Sequence, residues 1–282
     1  MNGGEVRRRL LGDLLAVGAP YGLALAGGDA VRAHGLVDRP GQGIDVATES
    51  PVGAGDIAAA VRAGLEERGW RVRTWETQPL AARLVVSDLG VSDLGVGGEE
   101  AGTRAGTGAG TEARARTEAG TGAEARTEAG TEAGTEAGTG VGARAETEPR
   151  QEFAVQVVKE VLWRPLELGE FGPVLSLEDL VGTRVRALAD QGLAPDLVDV
   201  HAAADRWSHL ELEELGRRHA GDVFDLADLQ TRLVGAEWID DREFAACGLD
   251  DRAIAELRRW AQEWADDIGE RLAECAAPPD DE

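Results

Sequence analysis

Leu25-Ala26-Gly27-Gly28-Asp29 is followed, one short helical stretch later, by Gly43-Ile44-Asp45-Val46. Adjacent glycines before a helix let the backbone approach a phosphate chain closely, because no Cβ stands in the way. A strand that presents carboxylates can hold the divalent ions used in phosphoryl chemistry. Two such ions call for more than one carboxylate, and here Asp45 stands alone, with Gly43 two residues before it. Glu49, Glu76 and Glu160 are the candidates to replace a missing ligand, and each is expected to be a solvated surface charge. Trp70 and Trp75 could stack on a base, although Trp more often belongs to a core.

The elements that must position these residues are readable from periodicity. Glu5 to Val17 reads as a helix with Leu10, Leu11, Leu14 and Leu15 on one face. Tyr21 to Ala26 is a short buried segment leading to the glycine pair. Asp29 to His34 is helical and Gly35 ends it. Gly43 to Thr48 is a strand. Asp56 to Arg68 is an amphipathic helix closed by Gly69. Trp70 to Thr77 alternates Trp70, Val72 and Thr74 against Arg71 and Arg73, as a strand does. Ala81 to Val86 and Phe153 to Val158 are two more strands.

Between those last two strands, Val86-Ser87-Asp88-Leu89-Gly90 is repeated at once as Val91-Ser92-Asp93-Leu94-Gly95. Many copies of an Ala-Gly-Thr-Glu theme follow, as in Thr127 to Gly140. Residues 97–149 hold no large apolar side chain before Val141, too little to offset ordering entropy, so this tract reads as a disordered insertion. Without it the flanking strands become a hairpin, whose tip accepts long insertions at small cost.

The C-terminal third is helical. Ser176-Leu177-Glu178-Asp179 has the form of a capping box and leads into Leu180 to Ala189. Asp196 to Ala204, Leu210 to His219, Leu226 to Leu233, Asp241 to Ala246 and Asp250 to Cys275 continue the pattern. In the last, Ile254, Leu257, Trp260, Ala261, Trp264, Ile268 and Leu272 recur at helical spacing, the mark of a core stripe.

Composition narrows the function. Fifty-three acidic residues against 29 basic ones give a net charge of -24. Such a chain does not coat nucleic acid, although a local basic groove can coexist with an acidic body. Cys247 and Cys275 show no ligand spacing and read as free thiols in a reducing cytoplasm. His34, His201, His209 and His219 form no metal-binding pattern. No secretory leader is expected, and no apolar run approaches a membrane span.

Taken in order, these motifs resemble the AbiEii/AbiGii-type nucleotidyltransferase toxins. Ala26-Gly27-Gly28 matches the first family motif. Val37 to Val46 matches the second, with Arg39 and Asp45 in place and Gly43 where the first aspartate belongs. Phe153 to Val158 matches the third strand, with Gln156 at the aspartate position. In the helical motif, Leu177 to Leu180, Ala187 to Ala189, Asp196 and Asp199 fit. Arg184 stands at the lysine position, Gln191 at the arginine position, and Pro195 precedes Asp196.

The resemblance implies an α+β chain: a polymerase-beta-like nucleotidyltransferase domain over residues 1–172, interrupted at 97–149, then a helical domain over 173–277 and an acidic tail at 278–282. It implies transfer of a nucleoside monophosphate from a nucleoside triphosphate (NTP) to a tRNA acceptor, magnesium (Mg2+) as cofactor, and a cognate antitoxin protein as partner, all in the cytoplasm. It assigns Asp45 and Asp196 to catalysis, Asp45 to the metal, and Gly27, Gly28, Arg39 and Arg184 to the nucleotide. Arg184 and Asp196 could instead form a salt bridge between helices. The alternative, given Gly43 and Gln156, is a pseudoenzyme of the same fold that acts through nucleotide or protein binding.

Overall fold

In β4 (Ala81–Asp88) Ala82, Leu84 and Val86 are buried, and in β5 (Glu152–Lys159) Phe153, Val155 and Val157 are. This period of two gives each strand one face for the core. The structure, a computed structural model, describes residues 3–39, 41, 43–88 and 151–276. The repeat tract and the acidic tail lie outside the described residues. β4 and β5 pair antiparallel from Ala81↔Val158 to Ser87↔Glu152, so the expected hairpin pairing is present.

Around that pair a mixed sheet of seven strands is assembled in the order β3-β4-β5-β2-β1-β7-β6. The other members are β1 (Ala24–Ala26), β2 (Ile44–Thr48), β3 (Trp70–Thr77), β6 (Glu167–Leu168) and β7 (Pro173–Val174). β2 is parallel to β5 and antiparallel to β1. The alternation in β3 buries only Trp70 and Val72. Thr74 is exposed although it still pairs in register with the buried Leu84; the β3–β4 register shifts only after it, between Thr74 and Glu76.

α1 (Gly3–Gly18) and α3 (Ala54–Glu67) bury Leu10, Leu11, Leu14, Ile57, Val61 and Leu65 in the same cluster as the strand residues. The short α2 (Gly27–Ala33) follows β1 directly. Trp70 belongs to this core. It is 1% exposed, and its indole Nε1 donates to Asp13 Oδ2 at 2.8 Å. The base-stacking role considered for it is therefore excluded by burial.

α4 (Leu177–Gln191), α5 (Ala194–His201), α6 (His209–Ala220), α7 (Leu226–Gly235), α8 (Asp241–Ala246) and α9 (Asp251–Ala276) make up the C-terminal part. The Ser176 cap forms as expected: its Oγ accepts from Asp179 N–H at 3.1 Å and donates to Asp179 Oδ2 at 3.0 Å. Asp179 also accepts from the backbone N–H groups of Trp163 and Arg164, each at 3.0 Å. That ties the chain entering from the sheet to the start of α4. A second cluster gathers around Leu188, Leu197, Leu212 and Trp264, and the α9 stripe lies in it. Leu36, Val37 and Leu177 pack against both clusters. Cys247 is buried, Cys275 is exposed, and both are free. Among the described residues no helix is long and apolar enough to cross a membrane.

Candidate active site

A row of side chains crosses the middle of the sheet. Asp45 on β2 lies opposite Ala26 on β1 and Gln156 on β5, and Gln156 lies opposite Arg83 on β4. Residues opposite one another across strands share a face. Arg83 Nε approaches Gln156 Oε1 at 3.4 Å. The row forms one wall of a cleft of about 460 Å³, within the size range of small-molecule sites. The opposite wall comes from α4, α5 and the turn between them.

The glycine pair makes room for this wall. Gly27 has φ +59, where a side chain is strained, and a Cβ on it would collide with Asp45. A Cβ on Gly28 would stand 3.1 Å from Gly41 Cα.

From α4, Arg184 enters the cleft at 17% side-chain exposure and faces three aspartates. Its Nη1 donates to Asp196 Oδ1 at 2.9 Å, its Nε is 3.4 Å from Asp199 Oδ2, and its Nη2 is 4.0 Å from Asp45 Oδ2. Arg39 closes the network from the loop before β2, donating to Asp199 Oδ1 at 2.5 Å and to the Pro195 carbonyl at 3.3 Å. The Arg184–Asp199 approach lacks hydrogen-bond geometry, so Arg184 Nε and Asp199 Oδ2 are buried without a hydrogen bond. Burial pushes the carboxyls of Asp45, Asp196 and Asp199 above the usual range, and Arg184 is the leading opposing influence on each.

All six sequence-assigned residues, Gly27, Gly28, Arg39, Asp45, Arg184 and Asp196, line the one cleft. Their surroundings differ. Asp45 is partly open to solvent, whereas Asp196 is held by Arg184 at 7% exposure. The salt bridge considered for Arg184 and Asp196 is present. Glu160 is not the solvated charge expected: at 7% side-chain exposure it is gripped by both terminal nitrogens of Arg186. Glu49 instead accepts from Leu162 N–H, and Glu76 faces Arg83 at 3.6 Å.

Sequence reasoning missed Arg7, Arg83 and Arg186. Arg7 Nη2 bridges Asp29 Oδ2 at 2.8 Å and the Gly43 carbonyl at 2.6 Å, bracing the end of the strand at Gly43. Its place in the polar face of α1 was legible, but its reach to β2 was not.

A two-ion magnesium clamp needs several free oxygen donors. Gly43 and Gln156 supply no carboxylate, and arginines hold Asp196, Asp199 and Glu160. Among the described residues no group of three His, Cys, Asp or Glu side chains could hold a metal. The donor set does not fit a two-ion clamp.

No protein-family model matches the sequence, and no curated protein matches it. Solved structures are similar to it over nearly their whole length. JHP933 from Helicobacter pylori is 13% identical at a TM-score of 0.48, over 98% of this chain and 97% of that one. MenT4, a nucleotidyltransferase toxin from Mycobacterium tuberculosis, is 14% identical at a TM-score of 0.47, over 96% of this chain and 92% of that one.

Proposed function

We propose that the cleft binds a nucleoside triphosphate and that the chain is a nucleotidyltransferase-type protein. The observation that carries this reading is the placement of Asp45. It stands on a central strand against the glycine turn, with Arg184 Nη2 at 4.0 Å on the facing helix. A phosphate chain entering there meets a backbone with no side chain at Gly27 and Gly28 and a guanidinium suited to phosphate oxygens.

In the transfer itself, an acceptor hydroxyl oxygen bonds to the α-phosphorus and the bond to pyrophosphate breaks. Asp45 takes the hydroxyl proton, a role that its burial-raised pKa favours. An RNA acceptor, tRNA in the first instance, and a cognate antitoxin follow from the family resemblance. One observation favours a second reading, binding without transfer: Gly43 and Gln156 leave Asp45 without the carboxylates that usually share its work.

The test is transfer of labelled NTP to total tRNA by the wild type and Asp45→Asn, with NTP binding followed by calorimetry. Transfer that disappears in Asp45→Asn supports the first reading. NTP binding without transfer supports the second. A wild type that binds no NTP overturns both.

A further inference from the structure

A second cleft, of about 570 Å³, opens among the C-terminal helices. Its walls are aromatic. His201 ends α5, Trp207 lies in the connection to α6, His209 begins α6, and Trp260 comes from α9; Asp205 and Ser208 complete the rim. The rings hold one another in place. His201 and Trp260 have centroids 5.0 Å apart, His209 and Trp260 5.9 Å, and His209 stacks on the buried Trp264 at 5.1 Å. All four lining rings are half-buried, so each keeps part of its surface toward the cleft.

Apart from Arg271, the charged groups that act on the two imidazoles are carboxylates. Asp205 and Glu256 act on His201, and Asp267, Glu213 and Glu263 act on His209. Arg271 is the cation near His209, and it is bound to Glu213 and Asp267. Among the described residues Asp205 has no ion-pair partner, although the cleft's other neighbours Glu256 and Glu263 pair along α9. Burial holds both imidazoles below their ordinary pKa, so they present neutral rings. Neither ring has a hydrogen-bond partner among the described residues. An unpaired carboxylate beside indole and neutral imidazole faces attracts a cation through charge and through the ring quadrupoles. The same carboxylates, on a chain of net charge -24, repel a nucleic-acid strand.

We infer that this cleft is a cation-recognition site that takes an arginine or lysine side chain presented by a basic segment of another protein. Arginine suits it better, since its planar guanidinium stacks on indole while donating to Asp205.

The experiment uses the full chain with labelled tryptophan indoles, titrated by NMR with acetyl-Gly-Arg-Gly-amide and with its uncharged citrulline counterpart. The Trp207 and Trp260 indole signals are expected to move with the arginine peptide. The exposed Trp75 and Trp238 serve as internal controls for non-specific association. Citrulline should bind about tenfold more weakly, and Asp205→Asn should weaken arginine binding several-fold while leaving the spectrum folded. Equal binding of both peptides, or shifts no larger than those of Trp75 and Trp238, would overturn the inference. So would a short oligouridylate that shifts Trp207 and Trp260 in place of the peptide, which would make the cleft a base-stacking site.

Discussion

The carboxylate of Asp45 occupies the space in which a side chain on Gly27 would stand. A Cβ built on Gly27 would lie 1.9 Å from Asp45 Oδ2 and 2.7 Å from its Cγ. The glycine and the aspartate are therefore one unit: the strand residue needs the bare backbone of the turn in order to face the cleft.

Gly27→Ala tests that unit. The positive φ alone costs about 1–2 kcal/mol for a residue with a Cβ, and the collision displaces Asp45 as well. Urea denaturation should show a lower midpoint at unchanged slope, and NTP affinity should fall along with it.

Arg184→Met removes the guanidinium shared by Asp45, Asp196 and Asp199. Asp199 keeps Arg39, but Asp196, at 7% exposure, loses the guanidinium that holds it, so the variant leaves a buried carboxylate without its partner. The expected loss is about 3–5 kcal/mol. Arg184→Lys keeps the charge and should lose less, which comparison of the two urea midpoints would reveal.

The pH dependence of Asp45→Asn follows from the raised carboxyl of Asp45. A group whose folded pKa lies above its unfolded value favours the fold while protonated, and that contribution is lost as pH rises through the folded pKa. Asparagine does not ionise. The stability of Asp45→Asn relative to wild type should therefore increase as pH climbs out of the ordinary carboxylate range. A difference that stays flat from pH 3 to pH 7 in paired urea titrations would contradict the upward shift of this carboxyl.

Gly43→Asp combined with Gln156→Asp builds a carboxylate cluster around Asp45. Position 156 is directly opposite Asp45 on the neighbouring strand, and position 43 is two residues before it on the same face. A Cβ at 43 would stand 3.1 Å from the Ala154 carbonyl oxygen, so the strand must yield slightly. The double variant should be about 1–3 kcal/mol less stable without metal. It should also bind magnesium in a calorimetric titration more tightly than the wild type, because it offers more oxygen donors.

Much of the architecture was legible because local periodicity reports which face of an element is apolar. The α9 stripe from Ile254 to Ile268, the helix stop at Gly69 and the Ser176 cap are all properties of a few consecutive residues. The pairing of β4 with β5 across the repeat tract was legible for a different reason: two alternating strands on either side of it leave each other as the simplest partner. The gathering of Gly27, Asp45 and Arg184 was also foreseeable, through the order of the motifs.

Which charges meet was decided by the tertiary structure. Arg39 and Asp199 are 160 residues apart, and Glu160, a surface charge by its sequence context, is buried against Arg186. Arg7 braces the Gly43 carbonyl from a different helix. Periodicity gives the direction of a side chain relative to its own element, but an ion pair depends on the crossing of two elements and on the burial their contact creates. The amino-acid order determined that Asp45 has no carboxylate two residues before it; only the packing of α4 and α5 against the sheet set Arg184 beside it.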